Sequence, residues 1–274
     1  MTKFRFLAFI VCYYLMRFIL QGGTSNGRDY FIDFLNVGQG DALLVRTPHN
    51  KVLIDAGPDN SLSYELSNYF WNPFCSFDFG FVTHAHADHY YGFTRIAKLC
   101  QPKLITFNDV DQLQTSSQVF NQLLQENKIN KTFLGDEYFF DGVRIKILYP
   151  RSPQDLNLHH NDLNFNSVVM LLEYGDFEAL LLGDAQKETL ATINWDDIKS
   201  QIKLPLEVIK VAHHGAINGF YLPMYDTLKP LYCVISVGKD NTFGHPNPDV
   251  VQQLESSGCT VLRTDVKGTI EMKL

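Results

Sequence analysis

The sequence is poor in cysteine and in charge, and it has no repeats. Its five cysteines, Cys12, Cys75, Cys100, Cys233 and Cys259, are scattered and odd in number. They form no Cys-x-x-Cys pair, so their spacing supports neither a disulfide framework nor a cysteine-type zinc site. They read most simply as buried free thiols, with room for one disulfide if the chain is exported. Charged residues make up 19% of the chain, and the net charge is −7. A sequence-independent grip on nucleic acid needs clustered Lys and Arg; this balance argues against one, although a local basic groove stays open. No fixed-period self-similarity and no low-complexity tract is present, which excludes repeat architectures and biased tails. What is there is apolar: 45% of the 274 residues are hydrophobic and 13% aromatic. That fills a sizeable core in one large domain or two small ones.

A long hydrophobic run occurs only at the start, in "MTKFRFLAFIVCYYLMRFIL". Lys3 and Arg5 precede an apolar stretch that Arg17 interrupts. The segment reads as a signal peptide or as an uncleaved membrane anchor in which Arg17 snorkels to the interface. Residues 1–28 are therefore expected to be a hydrophobic segment plus linker, and residues 29–274 the working domain. The positive start predicts a membrane-anchored or secreted protein with that domain outside the cytoplasm.

Beyond residue 29 the apolar pattern alternates between strands and helices. Strands are expected at 30–37, at "LLVRT" and "KVLIDAG", at "FGFVTH", and at 136–149, 167–174 and 178–183. Further strands are expected at 206–212, at 231–238, and in "TVLRT" and "GTIEMKL" at the end. Helices fit 60–71, a start near Tyr91, 111–127, "QKETLATI" and 248–257. Strands in two batches with interspersed helices suit an α/β, four-layer αββα sandwich.

The chemistry concentrates in "FVTHAHADHYYG", which holds three of the nine histidines and an aspartate within six residues. His84 and His86 are two apart, so in extended chain they point the same way. Asp88 and His89 follow a bend and can face a second point. Imidazole and carboxylate together suit Zn, Mn or Fe. So many donors in one short loop imply two adjacent ions, or one ion with a polar surround.

The pattern H-x-H-x-D-H resembles that of the metallo-β-lactamase superfamily, whose fold is the four-layer sandwich. The resemblance implies further ligands at strand ends: Asp184 in "LLLGDA" as the bridging carboxylate, and His214 in "VIKVAHHG" as the last histidine. His213 would then face substrate, although the reverse assignment of the two stays open. The expected metal set is His84, His86, Asp88, His89, Asp184 and His214, holding one or two Zn2+, or Mn2+. "LNVGQGDA", "LIDAG", "NSVVMLLEYGDFEALLLGDA" and the block around "FGHPNPD" make the chain, from about residue 30 to 274, similar to the hydrolase domain of the ComEC competence family. That likeness implies a substrate-facing or transition-state role for His245, and catalytic roles for Asp88, His213 and His245. Where many superfamily members carry a further histidine, this chain has Asn166 in "NDLNFNS", which weakens the expectation of a second metal site. His159 and His160 nearby read as exposed. Asp55 reads equally as a group that orients a metal-bound histidine or as a turn residue, and Asp41 is similar.

These features imply metal-dependent hydrolysis through a metal-held hydroxide, with a phosphodiester as substrate and single-stranded DNA as the polymer the resemblance implies. The alternatives are a cell-envelope phosphoester, a lactone or a thioester. A third reading is a non-catalytic, membrane-anchored binding protein. The expected partners are the substrate and, through the N-terminal segment, a membrane. No feature points to a protein partner.

Overall fold

The computed structural model describes residues 29–67, 76–96, 100, 102–109, 122, 126, 128–157 and 162–274. The N-terminal segment 1–28, His159 and His160 lie outside these residues, as does the expected helix 111–127 apart from Gln122 and Glu126. Among the described residues no helix is long and apolar enough to cross a membrane.

Strands β1 (Phe31–Phe34), β2 (Leu43–Arg46), β3 (Lys51–Ile54), β4 (Phe77–Val82), β5 (Pro102–Phe107) and β6 (Ile129–Asn130) lie side by side in chain order. A second sheet repeats the plan with β7 (Glu137–Phe140), β8 (Val143–Tyr149), β9 (Val169–Tyr174), β10 (Phe177–Leu181), β11 (Val208–Lys210), β12 (Tyr232–Ile235) and β13 (Thr260–Arg263). The last strand, β14 (Ile270–Lys273), crosses back to pair with β1. In each sheet the early strands pair antiparallel, and the pairing turns parallel at β3–β4 and at β10–β11. Sequential strands are thus spatial neighbours, the arrangement short connections favour.

Both faces of each sheet are covered, and the side-chain period of two sorts the residues. Val52 and Ile54 of β3, with Met170 and Leu172 of β9, enter the core between the sheets. Leu53 turns outward instead, beneath α1 (Ser61–Leu66) and α2 (Ala87–Ile96), where Leu62, Leu66, Phe93 and Ile96 meet it. Val169 and Leu171 turn outward from the second sheet. They join the layer to which α3 (Lys187–Leu190), α4 (Trp195–Gln201), α5 (Leu222–Leu228) and α6 (Pro248–Ser256) contribute Leu190, Ile198, Met224 and Leu254. A four-residue helix, α7 (Thr264–Lys267), precedes β14. The expected four-layer αββα sandwich is the fold.

Three elements differ from the sequence reading. The helix expected near Tyr91 starts at Ala87, with Asp88 in its first turn, where a carboxylate complements the helix dipole. Strand β5 escapes the alternation pattern because Lys103 and Leu104 are both exposed. Cys233 and Cys259, expected as free thiols, form a disulfide with Cα atoms 5.9 Å apart. The helical crossover through α6 returns the chain beside its starting strand, so Cys259 arrives next to β12 as β13 begins. Cys100 is disulfide-bonded as well.

Candidate metal centre

The polar residues of the opening motif gather where chains leave the carboxyl ends of parallel strands. Asp55 follows β3, His84 and His86 follow β4, Asp184 follows β10, and His213 and His214 follow β11. Such strand ends are where open α/β sheets place their ligands. Backbone strain marks the same places. Asp55 has φ +57°, and His213 and His214 have φ +49° and +53°, a region that costs a non-glycine residue roughly 1–2 kcal/mol. The two histidines are held there by bonds from His213 N–H to the Gly183 carbonyl (3.1 Å) and from Ala216 N–H to the His213 carbonyl (2.8 Å).

Two buried groups set the proton positions on the imidazoles. His89 Nδ1–H donates to Asp55 Oδ2 at 2.7 Å. Thr83 donates to the same carboxylate twice, from its backbone N–H (2.8 Å) and its hydroxyl (2.7 Å). With its proton committed to Asp55, the Thr83 hydroxyl can only accept from His84 Nδ1, 3.1 Å away. Asp55 therefore orients two histidines, one directly and one through Thr83, and its orienting reading prevails over the turn reading. His214 Nδ1–H donates to the Ser236 carbonyl at 2.9 Å. In all three rings the lone pair is left on Nε2.

Those lone pairs converge. His89 Nε2 lies 3.2 Å from Asp184 Oδ2, and His214 Nε2 lies 3.4 Å from it. His214 Nε2 is also 3.2 Å from Asp88 Oδ2, while His89 Nε2 is 4.0 Å from that oxygen. Ligand atoms of Asp88, His89, Asp184 and His214 all fall within 4.8 Å of one another. Metal bonds of about 2.0–2.1 Å in a tetrahedron place donors roughly 3.3 Å apart, so this spacing suits one ion. His89 Nε2 and Asp184 Oδ1 are buried without a hydrogen-bond partner, which is the condition a missing ligand bond would satisfy. The donor set fits a divalent transition ion.

Electrostatics lead to the same requirement for positive charge. Burial opposes charge on His89, but Asp184, Asp55 and Asp88 outweigh it and hold its pKa well above the ordinary imidazole value. Burial likewise opposes charge on His214, and Asp184, Asp41 and Asp88 overcome it. The carboxylates respond in kind. Burial would raise Asp88, yet His89 and His214 hold it at about 2, and Asp184 is held well below the usual range despite its burial. Without a metal, protons on the two imidazoles supply the cation. His84 differs: burial and the neighbouring His89 push it well below the ordinary value, so it is neutral.

His84 and His86 form a pair of their own, with Nε2 to Nδ1 at 3.1 Å and ring centroids 4.7 Å apart. His84 is 4.2 Å, ring to ring, from His89. Asn166 stands where the resemblance places a further histidine, and it offers this pair no imidazole. Asn166 donates from Nδ2 to buried Asp109 at 2.9 Å and leaves its Oδ1 buried and unpartnered. His214, not His213, turns into the four-residue cluster. His213 is 19% exposed at the side chain, its Nε2 4.0 Å from Asp184 Oδ2 and 3.5 Å from Asn164 Nδ2. Its ring lies 5.7 Å from that of His245. His213, His245, Asp88 and Asp184 all line one cleft of about 600 Å³.

Behind the cluster sits a cation that sequence reading missed. Lys210 is 1% exposed. It pairs with Asp41, donates to the Gly183 carbonyl at 3.1 Å and lies 3.8 Å from Asp184 Oδ1. Asp41 in turn lies 3.4 Å from His214 Nδ1 and 3.8 Å from His89 Nδ1. The signal was readable, since a lysine stands among the apolar residues of "VIKVA" in the expected strand 206–212. Thr83 and Ser236 carried none, because one acts through its backbone carbonyl and the other through an ordinary hydroxyl.

Residues 35–159 match the family model of the metallo-β-lactamase superfamily. The chain is similar to ComE operon protein 3 of Bacillus subtilis (strain 168), with 28% identity over 267 residues that cover 88% of this chain and 33% of that protein. It is similar also to Recombination protein 2 of Haemophilus influenzae, at 23% identity over 88% of this chain and 28% of that protein. It thus spans a third or less of the length of these curated relatives. Among solved structures, the metallo-β-lactamase fold protein YhfI from Bacillus subtilis aligns with a TM-score of 0.57 at 11% identity, over 90% of this chain and 100% of that one. That likeness concerns the fold alone. Residues 35–159 are thus similar to the metallo-β-lactamase superfamily, and the described residues have the fold of its metal-dependent hydrolases. The curated relatives are competence proteins, to one part of which this chain is similar.

Two outcomes follow from the proton positions. Replacing Asp55 by Ala removes both oxygens that accept from His89 and Thr83, and metal affinity, measured by competition with a chelator, should fall about 10- to 100-fold; unchanged affinity would contradict the orienting role. Metal must displace protons from His89 and His214, whose folded values lie above the unfolded 6.5. Apparent affinity should therefore rise with pH through neutrality, with protons released on titration. In metal-free protein the stability these two groups contribute is complete below 6.5 and is lost as pH rises through their raised values. A metal affinity flat in pH would contradict the proton assignment.

Proposed function

We propose that this domain is a phosphodiesterase acting on single-stranded DNA, with Zn2+ or Mn2+ held by Asp88, His89, Asp184 and His214 and a second ion, where present, at His84 and His86. The observation that carries this reading is the cleft, which opens directly over the four-residue cluster and brings His213 and His245 to its wall. When bound, a divalent ion here supplies Lewis acidity, making water acidic near pH 7 in favourable sites and polarising a phosphoryl oxygen.

The chain's own groups do the rest. Asp88 is the most exposed member of the cluster, with its side chain 32% exposed. Held at about 2, it is ionised throughout the neutral range and can accept a hydrogen bond from the attacking water. Burial lowers the pKa of His213. Burial and neighbouring His213 lower that of His245. Both are then neutral and can each present an N–H to a non-bridging phosphoryl oxygen. As the phosphorus–oxygen bond to the leaving group breaks, the departing alkoxide takes up a proton from solvent in the open cleft. Asn164 lines the same cleft beside His213.

The working location in this reading is outside the cytoplasm, in a protein secreted or anchored through residues 1–28. The Cys233–Cys259 disulfide supports it, since such bonds persist in oxidising compartments. A cell-envelope phosphoester is the second reading, favoured by the net charge of −7, which offers little general attraction to a polyanion.

The test is hydrolysis of a single-stranded oligodeoxynucleotide, and of a small envelope-type phosphodiester, by the metal-loaded chain. His89→Ala should abolish turnover, and His213→Gln or His245→Gln should each lower kcat about 100-fold or more. Turnover that survives exhaustive chelation, or a fully active His89→Ala variant, would reject the assignment. Cleavage of the small diester alone would move the substrate to the envelope.

A further inference from the structure

The cleft carries an exposed aromatic ring that the hydrolytic chemistry does not use. Phe243 is 68% exposed and lines the cleft beside His245. Its ring lies nearly parallel to that of His245, at 15° and 6.0 Å between centroids. A single apolar side chain left in water is ordinary, but this one stands at the wall of the cleft, and it is not the tip of a loose loop. The Asn241 carboxamide ties the loop together. It donates to the Gly238 and His245 carbonyls, at 3.0 Å and 2.6 Å, and accepts from the backbone N–H groups of Phe243 and His245, at 3.2 Å and 3.1 Å. The exposed ring is thus held in place before any ligand arrives.

We infer that Phe243 is a stacking platform for a nucleobase, the residue by which the cleft selects a nucleotide chain over a bare phosphoester. The inference rests on the phosphodiesterase reading above and names the feature of the substrate recognised. Three rings lead away from the cluster in sequence: His213, with Nε2 4.0 Å from Asp184; His245, 5.7 Å further between centroids; and Phe243 beyond it. A phosphate over the cluster would put the base of a flanking nucleotide within reach of the outer face of Phe243. Charge makes the stack necessary. With a net charge of −7, phosphate attraction supplies little affinity, and base–aromatic stacking is the sequence-tolerant alternative that single-strand binders use. The base must be unpaired to present its face, so the selected polymer is single-stranded.

The test compares a single-stranded oligodeoxynucleotide with the same strand carrying an abasic residue next to the cleaved phosphate. The unaltered protein should prefer the base-bearing strand. Phe243→Ala should raise KM on that strand about 5- to 150-fold, the size that loss of one base–aromatic stack carries, and bring the preference close to one. Phe243→Trp should restore it. If Phe243 only supports His245, Phe243→Ala will lower kcat equally on both strands, and the inference is overturned. Should the unaltered protein cleave no oligonucleotide, the phosphodiesterase reading fails, and the tryptophan of Phe243→Trp still decides the stack. Fluorescence quenching by the base-bearing but not the abasic strand supports the platform; no quenching, or equal quenching by both, overturns it.

Discussion

Two carboxylates and two imidazole lone pairs face one another across little more than 3 Å in a mostly buried space, and that arrangement persists only if positive charge lies among them. The rest of the site is arranged around this requirement. The Nδ1 protons of His89 and His214 are committed outward, to Asp55 and to the Ser236 carbonyl, so both rings offer acceptors inward. Buried Lys210 meets part of the negative charge from behind, through Asp41. It stands 3.8 Å from Asp184 and leaves the front of the cluster to a proton or a metal.

The fold supplies the closeness that this charge arrangement needs. The loops after β1 and β3 are pressed against the start of α2. The Asp41 N–H donates to the Asp88 carbonyl (3.2 Å), and the Ala56 N–H to the His89 carbonyl (2.7 Å). Glycine makes this possible at two positions. A Cβ on Gly40 would collide with the Asp88 carbonyl oxygen, and one on Gly92 with that of Ala56. The two sheets bring in the remaining groups, since β4 and β10 end on the same side of the intersheet core and Val168 N–H bonds the Thr83 carbonyl at 3.0 Å. A ligand cluster drawn from the three segments after β4, β10 and β11 is therefore as rigid as the sandwich beneath it.

Much of this was legible in the sequence, for stated physical reasons. The apolar runs of β3 and β9 announced strands, and H-x-H-x-D-H announced a metal chemistry that Asp184 and His214 complete. The partition of the ligands was not legible. Spacing gave no division of the six expected ligands, and the closed set is Asp88, His89, Asp184 and His214, because α2 begins at Ala87 and swings Asp88 and His89 inward. Lys210 was passed over because the strand 206–212 was read for its apolar residues alone. The disulfide was missed because the partners are set by a parallel crossover that no local spacing encodes. The role of Thr83 depends on where a single hydroxyl proton points, which only the folded neighbours decide.

The most direct test of the central claim is the anomalous scattering of crystals grown with Zn2+ or Mn2+. A peak bonded to His89 Nε2, His214 Nε2, Asp184 and Asp88 is the result expected, with or without a second at His84 and His86. Crystals saturated with either ion that show density elsewhere, and none among those four side chains, would contradict it.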